Sequence, residues 1–146
     1  MKTEHRIPVQ IRFNDIDLMG HVYNAKYQEF FDLGRIKYFE EVLGELINWT
    51  HKGLIIASVK TDYLQSTFLE DKIEVVSHVA SLGEKSLEMT QQVYKNNQPG
   101  PVAISKTIMV CFDMKNRISE IIPQTWRDKI TVFETELKIN QSFGKI

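Results

Sequence analysis

Residues 24–44 read Asn24-Ala25-Lys26-Tyr27-Gln28-Glu29-Phe30-Phe31-Asp32-Leu33-Gly34-Arg35-Ile36-Lys37-Tyr38-Phe39-Glu40-Glu41-Val42-Leu43-Gly44. Tyr27, Phe30, Phe31, Gly34, Tyr38 and Val42 recur at intervals of three and four, the spacing of one apolar helix face. Asn24 is placed to cap the start and Gly44 to end it, so the spacing predicts one helix of about five turns over 24–43. Gly34 lies on the apolar face, where it costs about 1 kcal/mol of helix propensity relative to Ala. That loss makes sense if something approaches the face closely, as a sheet laid against it would.

Strand signals lie on both sides of this helix. Before it, Ile7, Val9, Ile11 and Phe13 alternate with Pro8, Gln10 and Arg12, the period of a half-buried strand, with Pro8 marking an edge or a start. After it come four β-branched or alternating runs, Leu54–Tyr63, Lys72–Leu82, Ser86–Tyr94 and Val102–Phe112. Their connectors are short enough for antiparallel hairpins, so a meander is expected after the first connection. Pro123 opens a segment with Trp126, Ile130 and Phe133 at helical spacing, which predicts a short second helix over about 123–135. Lys138–Ile146 shows no strong pattern. The expected fold is α+β, a five-stranded antiparallel sheet around one long helix. Such a sheet has two open edges, and Val102–Phe112 is apolar on both parities, so a second subunit is expected to pair with it.

Composition narrows the function classes. A chain of 146 residues suits a single domain over 1–146, and 42% hydrophobic with 25% charged residues excludes a disordered chain. Against 19 acidic residues stand 18 Lys and Arg, which leaves no basic footprint for nucleic acid. Cys111 is the one cysteine, so no intramolecular disulfide can form and a reducing compartment is expected. No run approaches the roughly 18 apolar residues of a spanning helix, and the N-terminus is polar. The expectation is a cytoplasmic protein with no membrane partner.

The chemistry-bearing stretch is Asn14-Asp15-Ile16-Asp17-Leu18-Met19-Gly20-His21-Val22-Tyr23-Asn24, directly before the helix. Its Asp-x-Asp-x-x-Gly start is that of a calcium loop, but the fifth and twelfth ligand positions hold Met19 and Lys26. A lone His21 is a poor basis for a transition-metal site, so no metal is expected. A helix N-terminus offers unpaired amides that can hold an oxyanion, and a carboxylate on the preceding loop could act on the same carbonyl carbon. The other reading is that Asp15 and Asp17 shape a turn while His21 fills a surface niche, and spacing alone favours it because turn-forming Asp residues are common.

The run Arg12–Tyr27 as a whole, followed by Phe30, Phe31, Gly34 and Arg35, resembles the signature of the 4-hydroxybenzoyl-CoA thioesterase-like family of hotdog-fold acyl-thioester hydrolases. The likeness continues in Ser58–Leu64 and Leu82–Ser86 and reaches about Pro123. Gln65-Ser66 depart from it, standing where many members carry a proline, and leave the local strand bend open. The resemblance implies a hotdog fold and hydrolysis of acyl-CoA or acyl carrier protein thioesters, with no cofactor. It puts Asp17 on the catalytic carboxylate, nucleophile or general base, and the amide near Asn24 where the thioester carbonyl is polarised. It matches His21 to a family histidine that orients the site or the leaving thiol. Asp15 is read as a brace of the loop. By the same resemblance Ser58, Val59 and Lys60 line the substrate from the opposite subunit of a homodimer or homotetramer. Tyr23 is the pocket candidate among the aromatics, whereas Tyr27 and Phe31 are read as core. The other class the fold admits is a hotdog module that binds acyl thioesters or a partner protein without hydrolysis.

Overall fold

A computed structural model describes residues 4–44, 50–135 and 137–139. Along the chain run β1 (His5–Val9), α1 (Lys26–Leu43), β2 (Lys52–Tyr63), β3 (Ile73–Leu82), β4 (Ser86–Lys95), β5 (Ala103–Asp113), β6 (Ile118–Ser119), α2 (Gln124–Phe133) and β7 (Lys138–Ile139). The fold is α+β, an antiparallel sheet with few helices. Its strand order is β1-β3-β4-β5-β2, with β6 added to β5 and β7 running parallel beside β3.

Each long element sits within a few residues of its sequence pattern, and the differences have local causes. The predicted strand 7–13 stops at Val9, and Phe13–Asp15 form a 3-10 turn. Asp15 makes that turn: its amide donates to the Arg12 carbonyl (2.9 Å) and its carboxylate accepts the Arg12 amide (2.8 Å). The turn rotates Phe13 outward, 82% exposed. Helix α1 is capped at Ala25 rather than Asn24, and no side chain caps it. Instead the amides of Lys26, Tyr27 and Gln28 donate to the carbonyls of Tyr23, Asn24 and Ala25, a tight lead-in turn that satisfies the donors Asn24 would have capped. Gly44 ends the helix in the left-handed conformation (φ 71°). The meander holds only for β3-β4-β5. β2 pairs with β5 from Lys52↔Asp113 to Tyr63↔Ala103 and occupies the far edge of the sheet. The unpatterned C-terminal segment contributes β7, and residues 140–146 lie outside the described residues.

Helix α1 packs on one face of this sheet between two apolar clusters. Tyr27, Phe30 and Phe31 join Ile73, Val75, Val93 and Ala103, whereas Tyr38, Phe39 and Leu43 join Val79, Leu87, Met89, Cys111 and the α2 residues Trp126 and Ile130. A polar row crosses the sheet between the clusters. Ser77, Gln91, Ser105 and Thr61 are consecutive cross-strand partners, the first three fully buried. Gln91 Nε2 donates to the Phe31 carbonyl (2.9 Å) and Ser77 Oγ (3.0 Å), and its Oε1 accepts from buried Arg35 (2.9 Å). Gly34 lies over this row. A Cβ there would meet Val75 Cγ1 at 2.7 Å, Gln91 Nε2 at 2.9 Å and Ser77 Oγ at 3.0 Å, the close approach the sequence predicts.

Beyond its pairing with β1, the edge of β3 is closed by Glu134, just past α2. Its carboxylate accepts the Tyr38 hydroxyl (2.6 Å) and the Val79 amide (2.9 Å) and lies 3.2 Å from His78 Nδ1. Burial, then the Glu134 charge, push the Tyr38 hydroxyl far above its ordinary pKa, so it stays a donor. Among the described residues no helix is long and apolar enough to cross a membrane.

Candidate active site

The loop between the 3-10 turn and α1 is held by its own backbone. Ile16 and Val22 form an antiparallel bridge, the Asp17 amide donates to the His21 carbonyl (2.9 Å), and Gly20 N donates back to Asp17 O (3.0 Å). Asp17 turns its side chain into the same loop, where Oδ1 accepts the amides of Met19 (2.9 Å) and His21 (3.4 Å). Oδ1 shapes the turn, and Oδ2 makes no hydrogen bond among the described residues. Asp15, 1% exposed, braces the loop as expected, with its carbonyl accepting Tyr23 N at 2.8 Å.

The other half of the candidate site is the start of α1. The lead-in turn commits the amides of Lys26, Tyr27 and Gln28, and Asp15 commits that of Tyr23. Among the described residues the amides of Asn24 and Ala25 donate to no backbone carbonyl, and both residues are exposed. These donors stand at the positive end of the helix dipole, at one end of the loop that carries Asp17 at the other. Tyr63, the last residue of β2, steadies the junction: its hydroxyl donates to the Asn24 carbonyl (3.1 Å), and its ring meets that of Tyr27 edge-on at 5.4 Å.

The remaining candidates fall into separate places. Tyr23 is 53% exposed beside the loop, whereas Tyr27 and Phe31 are core, at 2% and 0%. Burial raises the Tyr27 hydroxyl, which donates to Thr67 Oγ1 at 2.7 Å. Within this chain β2 reaches the start of α1 through Thr61 and Tyr63, not through Ser58–Lys60. Strand alternation also divides that trio. Thr61 bonds Gln28 of α1, so Val59 shares the helix-side face, while Ser58 and Lys60 lie on the opposite face, Lys60 directly across from Lys106. Cys111 is buried, and desolvation pushes its thiol up to about 11, which suits a small core residue.

Sequence reasoning missed the segment between β2 and β3. Val22 N donates to the Thr67 carbonyl at 2.7 Å, and the ring of Phe68 stands edge-on to His21, centroids 5.0 Å apart. A buried threonine in a polar stretch is a weak signal, and nothing local ties residues 67–68 to a loop more than forty positions earlier. The bend left open at Gln65-Ser66 is made by the Val102 carbonyl, which accepts the amides of both Leu64 (2.8 Å) and Gln65 (3.2 Å).

Residues 11–139 match the thioesterase-like superfamily, and the chain belongs to it. It is 23% identical over 125 residues to the long-chain acyl-CoA thioesterase FadM of Escherichia coli K12, covering 84% of this chain and 93% of that one. To the 1,4-dihydroxy-2-naphthoyl-CoA hydrolase of Synechococcus elongatus it is 26% identical over 132 residues, covering 84% and 91%. A crystal structure of a thioesterase from Thermus thermophilus, complexed with coenzyme A and Zn, superposes with a TM-score of 0.77 at 29% identity, over 88% of this chain and 92% of that one.

Proposed function

We propose that this protein is a hotdog-fold thioesterase that hydrolyses acyl thioesters of coenzyme A to a carboxylic acid and a thiol. The observation that carries the reading is the pairing, on one loop, of a carboxylate oxygen, Asp17 Oδ2, and the amides of Asn24 and Ala25, for which no hydrogen bond is found among the described residues. The thioester carbonyl oxygen accepts from the Asn24 amide, which holds the negative charge that develops as the carbon becomes tetrahedral. Asp17 then acts in one of two ways. As general base it takes a proton from water, whose oxygen bonds to the carbonyl carbon. As nucleophile it bonds to that carbon itself, giving a mixed anhydride that water opens in a second step. In both, the carbon–sulfur bond breaks and the thiolate leaves to be protonated, with His21 placed to orient the site or meet the leaving sulfur.

Substrate binding is completed by a second copy of the chain. β2 is an open edge with Ile55, Ile56, Val59 and Tyr63 each 39–46% exposed, an apolar strand that an antiparallel partner would cover. In that homodimer Tyr23 and the partner's β2 flank the acyl group. Val59 supplies apolar surface on the helix side, and Ser58 and Lys60 meet the polar end of coenzyme A on the other face. Acyl carrier protein thioesters are the alternative donors, and a homotetramer is the alternative assembly.

Thiol release from short, medium, long and aryl acyl-CoAs tests the reading on wild type and Asp17→Asn. Turnover should fall by about 10²–10⁴-fold in the variant with unfolding unchanged, the range for a lost general base. Near-normal turnover in Asp17→Asn would remove Asp17 from the mechanism. Tight acyl-CoA binding without thiol release would make the protein a binding module.

A further inference from the structure

The segment from Leu64 to Lys72 is fastened more tightly than a surface connection requires. Lys95, the last residue of β4 and 9% exposed, donates from Nζ to the Ser66 carbonyl (2.8 Å), lies 3.6 Å from Asp71 Oδ2, and stands 5.6 Å from the Phe68 ring centroid. Asp71 accepts the Phe68 amide (2.8 Å) and Asn96 Nδ2 (2.8 Å), and Asn96 Oδ1 accepts the Lys72 amide (2.9 Å). A lysine this buried needs its charge met, and Ser66, Asp71 and the Phe68 ring meet it from three sides of one short segment.

What the clasp holds is the wall of the candidate site. Thr67 takes Val22 N on its carbonyl and the Tyr27 hydroxyl on Oγ1, and Phe68 meets the His21 ring at 88°. Among the described residues the two ring nitrogens of His21 carry no hydrogen bond, and its aromatic contact is with Phe68. An imidazole has a broad second torsion, so a ring with no polar anchor is oriented by what it packs against.

We propose that Phe68 is the positioning residue for His21, and that Lys95 and Asp71 fix Phe68 in place. The inference rests on the hydrolase reading for its effect on turnover, but its geometric content stands apart from it. Phe68 is 45% exposed, so Phe68→Leu and Phe68→Tyr should both fold. With a responsive acyl-CoA, Phe68→Leu should lower kcat about fivefold to tenfold with KM within about twofold, because reacting groups tolerate little misplacement. Phe68→Tyr should restore kcat, and Lys95→Met should reproduce part of the loss from a residue remote from His21. The second readout is the orientation of the His21 ring, read from the NOEs between its ring protons and loop residues 16–22, with signals assigned by comparison with His21→Gln. The NOE pattern should change in Phe68→Leu and Lys95→Met and hold in Phe68→Tyr. An unchanged NOE pattern in Phe68→Leu, unchanged kcat in an active protein, or a Phe68→Tyr variant as slow as Phe68→Leu would each overturn the proposal. A wild type silent on every thioester, with the His21 NOE pattern still changing in Phe68→Leu, would sink the hydrolase reading and leave the placement of His21 standing.

Discussion

Gly34→Ala sets a gain in helix propensity against the tightest contact between α1 and the sheet. On an exposed helix the change would stabilise by about 1 kcal/mol. Here the new methyl would lie 2.7 Å from Val75 Cγ1, against about 3.5–4.0 Å for an ordinary carbon–carbon contact. Val75 cannot yield cheaply, because it is fully buried and its strand is paired on both sides, with Ile7 of β1 and Val93 of β4. Overpacking of this kind costs about 1–3 kcal/mol. The methyl would also crowd Gln91 Nε2, and displacing that amide from Phe31 and Ser77 strands buried polar groups at about 1–3 kcal/mol more. The net expectation is a loss near 3 kcal/mol, a fall of roughly 6–12 °C in the thermal midpoint for a chain this size. Thermal unfolding followed by circular dichroism measures it. A midpoint equal to or above wild type would refute the close approach, because propensity would then have won.

Two further outcomes follow from charge and burial. Cys111 combines full burial with a thiol pushed up to about 11, so Ellman's reagent at pH 8 should titrate no thiol in the native chain and one per chain in denaturant. A fast native reaction would contradict the burial of β5. Burial raises the Asp71 carboxyl, but the Phe68 amide, the Asn96 side chain and Lys95 together outweigh it and hold the pKa below the usual carboxylate range. A depressed native pKa contributes stability that is complete above the unfolded value of about 3.9 and is lost as pH falls through the lower native value. Wild type should therefore exceed Asp71→Asn in urea midpoint at pH 7, and the gap should shrink only in the acid range below about pH 4. A gap already gone at pH 6 would show that this carboxylate is not held in the clasp.

The parts of the fold that were legible in sequence are those whose causes lie within about twenty residues. Helix α1 shows in the spacing of its aromatics, its end in Gly44, and its contact with a sheet in a glycine where an apolar side chain was due. The loop at Asp17 is equally local, because an aspartate accepting amides two and four residues ahead makes its turn without help. Causes that join distant positions left no such trace. Ser77, Gln91, Ser105 and Thr61 read one at a time as polar residues in alternating strands, and only the register lines them up beneath Gly34. Thr67 and Phe68 meet Val22 and His21 from the connection between β2 and β3, and Lys95 at the end of β4 holds that connection, so the loop carrying Asp17 could be read while the wall behind it could not. The place of β2 is the sharpest case. Hairpin-length connectors favoured a meander, yet the chain carries β2 to the far edge beside β5, where Ile55, Ile56 and Val59 are exposed on both faces. Among the described residues neither core cluster includes these three side chains. The expectation of a second subunit comes instead from the open edges of such a sheet and from Val102–Phe112, apolar on both parities, and neither marks the far edge, because β2 finds that place through pairs with β5 at least forty residues away in sequence.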